Sequence, residues 1–154
     1  MDEFITRWQF TRSETLEILN SLSDDQLQFK PAGETWQTLF HQFGCIGRTQ
    51  LVYADAVRNG KMNFSLFGST ELPSKDENQT VESIAAFLNH ANTEWLEALA
   101  NYHGTIEWPD GAKSAMVHVM SLAEHERLHH GQLISYFTHA GLTLPDGFRR
   151  NWAL

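Results

Sequence analysis

His125-Glu126-Arg127-Leu128-His129-His130-Gly131-Gln132 sits within a run from Ser114 to Ala140 that has apolar residues at helical spacing, contains no proline and is followed by Gly141. Such a run reads as one long α-helix. Two imidazoles four residues apart lie on one face about one turn apart, near enough to reach one divalent ion. With about 100° of rotation per residue, His118, Leu122, His125, His129, Gln132 and Tyr136 share a narrow arc, and Glu126, Arg127 and His130 fall outside it. The pair therefore faces apolar neighbours, toward the interior of a helical bundle. An inward pair at this spacing favours a metal site over two separately hydrogen-bonded core histidines. Gly131 costs about 1 kcal/mol relative to Ala in mid-helix, which points to a close approach by another element or by a second subunit.

Working outward, three further helical segments emerge. The first runs from about Asp2 to Leu22, with Phe4, Trp8, Thr11, Thr15, Ile18 and Leu22 as its stripe and Glu3, Arg12, Glu14 and Glu17 expected mostly outward. Ser23-Asp24-Asp25-Gln26 has the pattern of a capping box, and Pro31 and Gly33 close that connection. The second segment spans about Thr35 to Asn59 and stops at Asn59-Gly60. Gly60 to Gln79 is the longest irregular stretch, a length often used as a functional lid. The third starts near an N-cap at Thr80 and ends by Gly104. Ile106 to Gly111 reads as a turn-bearing connection with a scrap of strand before it. Four helices around one core predict an all-α four-helix bundle, one domain over residues 1–154, with a long loop between helices 2 and 3 and a short C-terminal tail.

Bulk properties narrow the function classes. With 154 residues the chain buries about 70% of its extended surface and needs no staples. A net charge of −8 and the lack of a Lys/Arg cluster disfavour a phosphate-backbone partner, and no nucleic acid is expected. Cys45 is the one cysteine, so no intrachain disulfide forms. No basic-then-apolar leader and no run of about 20 apolar residues is present, so a cytoplasmic, soluble protein is expected.

A metal needs a third protein ligand. His41, in the middle of the second segment just after Leu39-Phe40, is the best candidate. His118 is about 10 Å along the helix axis from His125, too far to share its ion. His90 and His103 lie toward the end of the third segment, and His139 at the end of the fourth. Cys45, one turn past His41, reads first as a small buried hydrophobe, with a thiolate ligand as the alternative. Arg48 extends the stripe and could meet an anionic substrate, though such an Arg more often pairs with a carboxylate. Glu126 completes an H-E-x-x-H pattern, in which Glu serves zinc peptidases as general base. Without any downstream peptidase motif it is expected to flank the site or face solvent.

Trp36 followed by His41, together with His125-Glu126-x-x-His129-x-Gly131-Gln132, resembles the DinB-like superfamily across essentially the whole chain. The resemblance implies a four-helix bundle, often a homodimer, holding a divalent metal such as zinc or nickel on His41, His125 and His129. That trio is also the one chosen from the helical positions. The family commonly has Arg where this chain has His130. Its relatives include transferases and isomerases that use low-molecular-weight thiols such as bacillithiol or mycothiol.

The leading expectation is a metal-dependent enzyme acting on a small molecule, as a thiol-dependent transferase or a hydrolase. Gln132 is a candidate to orient ligand, Tyr136 and His118 to line the pocket, and the 60–79 loop with Phe64 and Phe67 to cover it. The alternatives are a metal- or ligand-binding stress-response protein without turnover and, behind it, a peptidase based on Glu126. Because ligation needs neutral imidazole, metal affinity should fall below about pH 6.

Overall fold

The structure is a computed structural model that describes residues 2–33, 35–69, 79–100, 102 and 104–154. Four long helices form the frame: α1 (Asp2–Asn20), α3 (Leu39–Asn59), α5 (Val81–Leu99) and α6 (Ala115–Ala140). Short helices α2 (Asp24–Leu27), α4 (Leu66–Ser69) and α7 (Asp146–Trp152) fill the connections and the tail. The all-α bundle is as expected.

Local chemistry explains the boundaries. Ser23 and Gln26 form the reciprocal capping box that opens α2. Thr80 caps α5 and Ser114 caps α6 through their side-chain oxygens. Gly60 and Gly141 end α3 and α6 in the left-handed conformation, at φ 67° and 66°, which an L side chain rarely adopts. Helix α3 starts four residues later than the periodicity suggests, because the Thr38 side chain accepts from the His41 N–H and fixes the first turn there.

Three elements depart from the sequence reading. The connection after α5 is a full antiparallel hairpin, β1 (Thr105–Trp108) with β2 (Gly111–Ser114). The chain after Gly60 pairs with β1, since the Met62 N–H donates to the Glu107 carbonyl and the Glu107 N–H to that of Gly60. The tail is not a loose end: α7 buries Phe148 against α1. Gly131 is exposed, and no described residue lies within 4 Å of an added Cβ, so no neighbouring element among the described residues accounts for it. The close approach lies at Gly47 instead, where an added Cβ would run into the Phe87 ring of α5.

The apolar core comes in two parts. One gathers Ile18, Leu19, Phe43, Ile46, Leu88, Leu133, Tyr136 and Phe148. The other gathers Trp8, Val52, Trp95, Leu99, Ile106, Val119 and Leu122. Between them runs a buried polar belt. Arg12 donates to Gln50 (2.6 Å) and Glu126 (3.0 Å), Gln50 donates to Asn92, and the Trp8 indole donates to Asn92. Arg12 and Glu14, expected outward, are therefore buried. α1 is covered on one side by α5 and α6 and on another by α7, and each charge has found a partner across an interface.

Candidate metal centre

Helix α6 is buried on two arcs. The arc facing α3 carries the histidine pair, and His125 Nε2 and His129 Nε2 stand 3.3 Å apart. From α3, Cys45 Sγ comes to 3.8 Å from His125 Nε2, and Thr49 Oγ1 to 3.4 Å. One donor atom each from Cys45, His125 and His129 fit within 4.8 Å of one another. His41, the expected third ligand, is not in that group of three: it lies one turn before Cys45, half-buried, near enough for its charge to bear on His129. Cys45 is thus not simply a small buried hydrophobe, because its sulfur faces the imidazoles.

Second partners aim the rings. His129 Nδ1–H donates to Gln42 Oε1 at 2.8 Å, so the unprotonated Nε2 turns its lone pair toward His125 Nε2. Gln42 Nε2 donates to the Tyr136 hydroxyl, which donates to the Gln37 carbonyl at 2.7 Å. Tyr136 is fully buried under Trp36, so it holds Gln42 and does not line an open pocket. Burial first, and then the neighbouring histidines, push the His129 pKa down to about 3; burial also lowers that of His125. Both imidazoles are therefore neutral at pH 7, the form that binds metal. Nδ1 of His125 is buried with no hydrogen-bond partner among the described residues. Clustered neutral imidazoles and an outer partner fixing one ring fit a divalent ion.

The remaining candidates lie around this cluster. Gln132 is half-buried beside His129, close enough for its side chain to interact with that ring. Arg48 donates to the Phe67 carbonyl at 3.3 Å, which ties the α4 turn to α3 one turn beyond Cys45. Phe64 and Phe67 stack on one another, and Phe64 meets Trp108 edge-on. Residues 70–78 of the expected lid, and His103, lie outside the described residues. His118 is elsewhere: its Nδ1 accepts from the Trp108 indole, Nε2 donates to the Tyr53 carbonyl, and its ring stacks on Tyr53. It is fully buried there and lines no pocket at the cluster. His90 and His139 are exposed.

Glu126 is a correction. It is 1% exposed, paired with Arg12 and accepting from the Thr15 hydroxyl, because the second buried arc of α6 packs on α1. His130 shares that arc. Its Nε2 donates to Thr15, its Nδ1 accepts from Arg127, and burial together with Arg127 and Arg12 pushes its pKa down to about 3. Arg127 also reaches Glu14 and Thr11 and stacks on Trp152. Sequence reasoning missed this network. Its only signal was the presence of three polar residues, Glu126, Arg127 and His130, on one side of a largely buried helix.

The description "DinB superfamily" matches residues 7–133. The chain belongs to the DinB superfamily. The protein YrdA of Bacillus subtilis, itself named as uncharacterized, is 25% identical over 99% of this chain and 92% of its own length. Two solved DinB-like proteins share the fold. One, YjoA of Bacillus subtilis, has a TM-score of 0.72 at 19% identity, covering 93% of this chain and 96% of its own. The other, from Bacillus cereus, has a TM-score of 0.73 at 19% identity, covering 94% and 95%. The DinB membership and the Cys/His cluster together make a metal-binding protein the natural reading.

Proposed function

We propose that the chain holds a divalent ion, zinc or nickel, on His41, His125 and His129 and uses it on a small molecule, by transfer of a low-molecular-weight thiol or by hydrolysis. The observation that carries this reading is the 3.3 Å approach of two neutral, inward-facing imidazole nitrogens, backed by the Gln42–Tyr136 chain that orients one of them. A bound ion supplies Lewis acidity, lowering the pKa of a thiol or water placed beside it. Gln132, beside His129, is placed to meet a donor group of the substrate, and Arg48 offers positive charge one turn from Cys45. Glu126 is engaged with Arg12 and Thr15, which argues against a peptidase base.

A second reading, metal binding without turnover, is favoured by the Cys45 sulfur beside the imidazoles, because a fourth protein donor would close the site. No helix of the described residues is long and apolar enough to cross a membrane. Val117, Met120 and Leu128 are exposed along one face of α6 with Gly131 among them. This face supports the homodimer that the family suggests, and light scattering at micromolar concentration tests it.

Elemental analysis of protein purified without added metal is the direct test. About one zinc or nickel per chain is expected, lost in His125→Ala and reduced in His41→Ala. Wild-type protein that takes up no transition metal when supplied would overturn the proposal.

A further inference from the structure

We propose that Cys45 is itself a metal ligand, its sulfur joining His125 and His129 on one ion in a mixed sulfur–nitrogen site. The inference rests on the metal-binding part of the reading above and adds a donor to it. Geometry carries it. Tetrahedral ligands with a metal–sulfur bond of about 2.3 Å and metal–nitrogen bonds of about 2.05 Å place sulfur and nitrogen roughly 3.6 Å apart, and two nitrogens roughly 3.3 Å apart. The observed separations are 3.8 Å for Cys45 Sγ to His125 Nε2 and 3.3 Å for the two imidazole nitrogens. Two of the three separations thus stand close to ligand spacing, and the third, from Cys45 to His129, is within 4.8 Å.

Burial raises the Cys45 pKa, and the Thr49 hydrogen bond and the Arg48 charge offset only part of that rise, so the sulfur would ionise on meeting the ion. His125 presents Nε2 to Cys45, with the Thr49 hydroxyl beside the same nitrogen. On binding, the metal–sulfur bond forms, the S–H bond breaks and the proton passes to water. A soft sulfur donor biases the site toward zinc or cobalt and against magnesium or manganese.

Cobalt(II) titrated into the full-length, metal-free protein decides the matter. The expected result is visible d–d bands together with a near-ultraviolet sulfur-to-cobalt charge-transfer band. Cys45→Ser should lose the charge-transfer band, keep visible bands and bind cobalt roughly tenfold or more weakly. Wild-type protein should also react slowly with a thiol reagent when zinc is bound and quickly when it is removed, a readout that does not depend on the variant folding. Cobalt bound without the charge-transfer band, or a thiol equally reactive with and without zinc, refutes Cys45 as a ligand while leaving metal binding intact. No cobalt bound at all refutes the metal reading and this inference with it.

Discussion

Replacing Glu126 by Gln keeps the side-chain shape and removes its charge, leaving Arg12 buried without its counter-ion. The two side chains are 1% and 3% exposed and meet at 3.0 Å, and two further nitrogens of Arg12 already have no partner among the described residues. At an effective dielectric near 20 the direct attraction at this distance is roughly 5 kcal/mol, and removing one partner of a buried pair typically costs about 3–5 kcal/mol. The amide oxygen of Gln can still accept from Arg12 or Thr15, so the lower end, about 3 kcal/mol, is expected. Domains of this size are stable by only about 5–15 kcal/mol, so the melting temperature should drop by roughly 6–12 °C. Urea unfolding at pH 7.5, followed by far-ultraviolet circular dichroism, measures the loss. The double variant Arg12→Met/Glu126→Leu should recover most of it, because two apolar side chains leave no stranded charge. A loss below about 1 kcal/mol in Glu126→Gln would refute the buried ion pair as a structural element. Zinc binding should stay unchanged, since the Glu126 contacts are with α1 and not with the histidine cluster.

Gln42→Leu removes the acceptor that orients His129 and should weaken zinc binding by about 10–100-fold, read by competition with a chromophoric chelator; unchanged affinity would remove Gln42 from that role. Burial holds the His118 pKa below its ordinary value of 6.5, while the unfolded chain takes up the proton near that value. The stability it contributes is thus present above pH 6.5 and is lost as pH falls. Urea midpoints at pH 7.5 and 5 should differ less in His118→Gln than in wild type, and equal slopes would exclude His118 as a source of acid sensitivity. Gly131→Ala should stabilise the dissociated monomer by about 1 kcal/mol, since no described residue of the same chain lies within 4 Å of an added Cβ; a destabilised monomer, measured at a concentration below dimer formation, would refute this.

The helices were legible because their signals are local. Apolar spacing, the Ser23–Gln26 box, the caps at Thr80 and Ser114 and the glycines at 60 and 141 act within a turn or two of chain. The pairing of His125 with His129 was legible for the same reason: an α-helix places residues i and i+4 together whatever surrounds it. The hairpin was only half visible, because β1 needs β2 on one side, and Glu107 needs Gly60 and Met62 on the other, to complete its hydrogen bonds.

Contacts between helices were not legible in this way. Whether His41 or Cys45 comes nearest the pair depends on how far α3 slides along α6, and one turn of 5.4 Å exchanges them. That offset is set by side-chain packing, including the Gly47–Phe87 approach between α3 and α5. Burial of Arg12, Glu14, Glu126 and His130 likewise could not be read from residue type, since a charge leaves water only where an opposite partner waits across an interface. The chain alone determined the helices and the histidine face of α6. Tertiary packing chose what that face meets, because a partner's position is a property of two surfaces together and of neither sequence segment by itself.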